Sequence, residues 1–116
     1  MLRPFIPAQD HVRSRQFYEA LGFVTEHSDD DVAVMSNGDA SFILQNFYVT
    51  ELAENFMVQL MVADCDAWWR RHDPEGVAKR FGTIRPTAPA MRPWGMKVGF
   101  VHDPAGVLWH VTEGSK

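Results

Sequence analysis

Apolar positions recur along this chain first at helical spacing and then at every second residue, and the same succession then appears a second time. Phe5 to Ala8 is a short apolar run bounded and interrupted by Pro4 and Pro7, which predicts an edge strand, because proline cannot donate to a central ladder. Asp10 offers an N-cap. Val12, Phe17, Ala20 and Leu21 then share one side of a predicted helix, with Arg13, Arg15 and Glu19 directed elsewhere and Gly22 at the position that favours a left-handed C-terminal residue. From Phe23 the period falls to two. Phe23 to His27, Val32 to Ser36 and Ala40 to Phe47 read as strands, and Asn37-Gly38 between the last two predicts a type I′ hairpin with positive φ at both central residues.

Tyr48 to Asn55 reads as a polar connection, after which the order restarts. Phe56 to Val62 predicts a strand, and Asp64 or Asp66 caps a helix that runs through Trp68 to Arg71 and is broken at Asp73-Pro74-Glu75-Gly76. A Pro-interrupted segment, Thr83 to Ala90, precedes two further strands, Met96 to Val101 and Val107 to Thr112. Between these, Asp103-Pro104-Ala105-Gly106 has the residue order of a type I turn. The expectation is an α+β fold, a single domain over 1–116 made of two βαβββ modules, 1–49 and 55–116. The repeat rests on element order, since the halves share pattern more than residues.

Composition narrows the function classes. A chain of 116 residues, 46% hydrophobic, suffices for one core. A formal charge of −4 with thinly spread Lys and Arg speaks against a nucleic-acid partner, which calls for a basic stripe. Neither a signal-peptide apolar core nor a run of roughly 20 apolar residues occurs, so a cytoplasmic protein with no membrane association is expected. The single cysteine, Cys65, lies between Asp64 and Asp66, which disfavour a thiolate; it reads as a small packed side chain.

Strand alternation separates a packing face from a ligand face. In Phe56 to Val62, the even-numbered residues are wholly apolar, whereas Met57, Gln59 and Met61 form the opposite face. In Val107 to Thr112, Val107, Trp109 and Val111 oppose Leu108, His110 and Thr112. Gln45, Asn46 and Gln59 are amides within apolar strands, where an unpaired amide costs on the order of 1–3 kcal/mol, so each needs backbone, water or a ligand as partner. Trp94 follows Pro93 beside the last hairpin and reads either as a flat wall for a planar ligand or as core packing. Trp68 and Trp69 are adjacent on one helix and cannot both face the core squarely.

The segment Arg15-Gln16-Phe17-Tyr18-Glu19-Ala20-Leu21-Gly22-Phe23 resembles the first-helix signature of the glyoxalase/bleomycin-resistance/extradiol-dioxygenase superfamily, the vicinal oxygen chelate proteins. Pro93-Trp94-Gly95-Met96, with Asp103 to Val111, resembles its closing hairpin about 80 residues further on. The resemblance covers most of the chain. It implies two modules forming a cupped mixed sheet around a pocket, often completed by a second chain, so a homodimer is expected. It also implies positions for metal ligands: Pro4 on the first strand, Phe42 or Ile43 on the last strand of the first module, Met57, and His110. Only His110 readily serves there; Pro4 has no donor and a Met57 thioether suits soft ions.

His102 is expected three to four residues along the strand from the partner of His110, too far to share a metal. His11, His27 and His72 read as surface or capping groups, His72 as a cation at a helix C-terminus. The expected ligand-binding set is therefore Met57, Gln59, Met61, Trp94, Leu108, His110, Gln45 and Phe42, with no metal site and no cofactor. His110 is the one candidate acid or base, although a hydrogen-bonded histidine that shapes the cavity is the favoured reading of it. The expected function is sequestration of an aromatic or amphipathic compound, similar to the bleomycin-resistance branch, with antibiotic resistance one outcome of such binding. A metal-dependent lyase, isomerase or dioxygenase with displaced ligands is the alternative, and a non-enzymatic interaction module a third reading.

Overall fold

Asp10 starts the first helix as expected: its backbone is extended and its carboxylate accepts the Arg13 N–H at 3.1 Å. In this computed structural model, which describes residues 1–114, the first module runs β1 (Phe5–Ala8), α1 (His11–Ala20), β2 (Val24–Ser28), β3 (Val32–Asn37) and β4 (Ala40–Asn46). A short α2 (Thr50–Ala53) follows. The second module runs β5 (Met57–Val62), α3 (Cys65–His72), α4 (Pro74–Phe81), β6 (Thr87–Met91), β7 (Lys97–His102) and β8 (Leu108–Glu113). The strands form two separate four-stranded mixed sheets, ordered β1-β4-β3-β2 and β5-β8-β7-β6. In each, the first strand lies at an edge, parallel to the last strand of its module. Pro7 accordingly sits on an edge strand.

Four local expectations are corrected. The buried face of α1 carries His11, Ser14, Phe17 and Tyr18, and Val12 is 45% exposed. The helix is rotated because Tyr18 enters the core and His11 Nε2 bonds Asp29 O at 2.9 Å, so His11 is an internal tie and not a surface group. The β3–β4 turn centres on Gly38 and Asp39 with positive φ only at Gly38, the pattern of a type II′ turn. Asp73-Pro74 ends the helix as expected but also opens a further one where only a break was expected. Asp73 adopts φ 47°, closes α3 and caps α4 through the Gly76 N–H, and Pro74 is well suited to the first helical turn. Finally, the polar connection holds α2, whose Ala53 is fully buried.

The inner faces of the two sheets meet in one core. Ile6, Ala33, Met35 and Leu44 come from the first sheet, and Leu60, Val101, Trp109 and Val111 from the second. At their junction Tyr18, Phe23, Phe42 and Trp109 form a cluster with ring centroids 4.9–5.5 Å apart at steep angles, the geometry aromatic rings favour. A hydrogen-bond relay runs through it: Trp109 Nε1 donates to Tyr18 Oη at 2.8 Å, and Tyr18 Oη donates to Asp103 Oδ2 at 2.6 Å. Asp103 Oδ1 accepts the Ala105 and Val107 N–H groups at 2.9 Å, and the Gly106 N–H closes the expected turn onto Asp103 O. Cys65 is buried, its thiol donates to Val111 O at 3.0 Å, and burial pushes its pKa up.

Trp69 packs on the second sheet where β7 has no side chain. A Cβ at Gly99 would lie 2.5 Å from the Trp69 ring and 3.2 Å from Thr87 O. Gly99→Ala is expected to cost about 1–3 kcal/mol through overpacking. Urea unfolding checks this; an unchanged midpoint would mean that the α3–β7 contact yields freely.

Candidate functional site

Turning the inner faces toward one core leaves the opposite face of each sheet open. Ladder register aligns three rows on the open face of the second sheet: His102, Leu108 and Met57; Phe100, His110 and Gln59; Val98, Thr112 and Met61. The alternation read from the sequence thus places Met57, Gln59, Met61, Leu108 and His110 on one surface. Met57 is 65% exposed, Leu108 and His110 are half-buried, and Val98 and Thr112 close one end.

At the centre of this face the His110 ring stands edge-on to Phe100, centroids 4.9 Å apart at 86°. The Arg92 guanidinium covers the Phe100 ring at 4.8 Å and donates twice to Val98 O, at 3.1 and 2.8 Å. His110 Nε2 is buried without a hydrogen-bond partner, and so is His102 Nδ1. Burial holds the His102 pKa below the ordinary imidazole value. The tight Asp103–Gly106 turn pairs His102 with Leu108, so His102 lies two residues from the partner of His110, on the same face, and not three to four. Arg92 and Phe100 were missed from sequence. Phe100 has the right parity on its strand, but only the hairpin register shows that it adjoins His110.

The remaining candidates separate. Gln45 lies on the open face of the first sheet, between Pro7 and Val32. Phe42 belongs to the aromatic core at 3% exposure and is corrected from a ligand contact to a packing residue; β-alternation turns Ile43 to the open face in its place. Trp94 stands at the tip of the β6–β7 hairpin, 59% exposed and outside the core. Asn46 Nδ2 donates to Asp30 O at 3.2 Å, a structural pairing. Trp69 is buried and donates to Glu75, whereas Trp68 packs against His72 with the rings tilted at 49°. His72 ends α3, and burial and the Arg71 charge lower its pKa.

Gln59 and Met61 also reach a second concavity, a cleft of about 530 Å³ at the free edge of β5, whose far walls are Trp68, Arg71 and His72 of α3 and the β3–β4 turn. A metal centre is not supported by the donor set. Pro4 O is occupied by the Ile43 N–H, Ile43 and Met57 offer no hard donor, and no group of three or more His, Cys, Asp and Glu is gathered among the described residues. Among the described residues, no helix is long and apolar enough to cross a membrane.

No protein-family model and no curated protein matches this chain. Solved structures do. A bleomycin-binding protein complexed with bleomycin superposes with a TM-score of 0.78 at 23% identity, over 99% of this chain and 98% of that one. The bleomycin-binding protein from Streptomyces verticillus complexed with copper(II)-bleomycin gives 0.79 at 23%, over 99% and 98%. A glyoxalase/bleomycin resistance protein from Catenulispora acidiphila gives 0.69 at 19%, over 98% and 97%. The chain therefore has the glyoxalase/bleomycin-resistance fold, as the helix and hairpin motifs imply.

Proposed function

We propose that this chain, built on the glyoxalase/bleomycin-resistance fold, binds a small aromatic or amphipathic compound on the open face of its second sheet, without metal catalysis and as one half of a homodimer. The observation that carries this reading is His110 Nε2: a buried, unpartnered imidazole nitrogen on the sheet face that also carries Phe100, Leu108 and Met57. An unpaired buried polar atom is costly, and a polar anchor set in apolar surroundings is the usual composition of a small-molecule site. The bleomycin complexes of structural relatives point to the same class of activity.

Support for the dimer is topological. The inner faces of the two sheets share one core, with the Phe42 and Trp109 ring centroids 5.4 Å apart, so the open face of each sheet is its side away from that core. A cup with a sheet on both sides of the ligand is then made between copies: Gln45 and Ile43 of one opposite His110 and Gln59 of the other. Exposed Phe5, Val24 and Met57 give these faces the apolar area that association buries.

A thermal-shift and native mass-spectrometry screen against aromatic metabolites and glycopeptide antibiotics tests the reading. A hit is expected to bind one molecule per chain, and His110→Ala to weaken it about tenfold or more, the loss of one buried polar contact, without lowering the melting temperature. Persistent silence across the panel would favour an interaction module. A stoichiometric divalent ion lost in His110→Ala would favour the metal enzyme.

A further inference from the structure

A second group of unpaired polar atoms lies away from the open faces, where α1, α4 and the loop leading to β6 come together. Two adjoining clefts of about 490 and 290 Å³ share Gly82 and Thr83. Lys79 and Arg85 line the first, Arg13 and Ser14 the second. Thr83 Oγ1 and Ser14 Oγ are both buried without a hydrogen-bond partner, and Ser14 is 1% exposed. From this arrangement we infer that the groove binds the phosphate group of a small soluble compound, at a site separate from the His110 face.

The balance of donors and acceptors is the reason. Lys and Arg side chains only donate, and a hydroxyl can donate to any acceptor brought to it. Two acids also line the groove, each accepting one neutral N–H: Glu75 accepts Trp69 Nε1 at 2.9 Å, and Asp10 accepts the Arg13 N–H at 3.1 Å. Two of the carbonyls at the end of α4, which would repel an anion, are occupied. Phe81 O accepts from the Arg13 guanidinium, and Ala78 O accepts from Gly82 and Thr83. Against these stand three cations, Lys79, Arg85 and Arg13, none with an ion-pair partner among the described residues, and the two unpaired hydroxyls. In a chain of net charge −4 such a grouping is not a general surface property. A tetrahedral oxyanion presents acceptors in several directions at once, and charge-assisted bonds from Arg and Lys are its usual recognition.

Calorimetric titration of the full chain with inorganic phosphate, against chloride at matched ionic strength, tests this. Saturable binding is expected, weakened at least about fivefold in Arg85→Gln and in Thr83→Val, as loss of a charge-assisted bond requires, and unchanged in His110→Ala. Arg85 is exposed, so its variant reports even where Thr83→Val fails to fold. Absence of saturable heat, or equal affinity in the Arg85 variant, would overturn the site. Citrate binding as tightly as phosphate would overturn the preference for a tetrahedral anion. Retention of phosphate binding by His110→Ala keeps this result distinct from that of the ligand screen.

Discussion

Trp109→Ala is expected to destabilise the protein by about 3–5 kcal/mol, the range for deleting a buried aromatic side chain. The indole touches Tyr18, Phe23 and Phe42 with centroids 5.4–5.5 Å away and is the one ring of the second sheet in that cluster. Its removal would leave a cavity between the modules and strip Tyr18 Oη of a donor. Because a small domain is stable by only about 5–15 kcal/mol, the variant should unfold at far lower urea concentration, followed by circular dichroism. Trp109→Phe retains most of the packing and should cost much less. A midpoint for Trp109→Ala close to the parent protein would show that the modules do not depend on this junction.

The second large effect is on pH. Asp103 is 2% exposed, and desolvation is the main influence on its carboxyl, raising the pKa from 3.8 to about 6 against the hydrogen bonds from Tyr18 and the turn amides. The folded state therefore holds a proton more tightly than the unfolded chain between these values. The stability from this group is fully present below about pH 3.8 and is lost as pH rises through about 6, a change of roughly 3 kcal/mol. Tyr18 is pushed upward by burial and by Asp103, so it remains a phenol and a donor throughout. Asp29 is shifted the other way, to about 2 by its bond to His27, and acts at lower pH. The difference in unfolding free energy between the parent and Asp103→Asn should accordingly fall from pH 4 to 6.5 and then level off. Parallel profiles would refute a perturbed Asp103.

The fold was legible where local chemistry and periodicity agreed. Asp10, the period-two strands after Phe23 and the Asp103-Pro104-Ala105-Gly106 turn each carry their reason within a few residues, and all three stand in the structure. Errors came where a local rule has two outcomes. Asp-Pro can close one helix or open the next, and only the packing of Val77, Ala78 and Phe81 favours α4. Val12 is apolar, yet α1 turns Tyr18 inward because the second module supplies Asp103 and Trp109 to satisfy its hydroxyl.

For the site, alternation alone was enough to gather Met57, Gln59, Met61, Leu108 and His110 on one face, because β-strand parity is a property of consecutive residues. It could not say which parity Phe42 and Ile43 share with them, nor that Phe100 and Arg92 stand against His110, since strand register is set by turn closure between distant segments. The two βαβββ modules are thus a property of the sequence by itself. Which faces meet was decided only by the tertiary structure: Trp109 and Phe42, more than 60 residues apart in the chain, bury each other and so turn the His110 face outward.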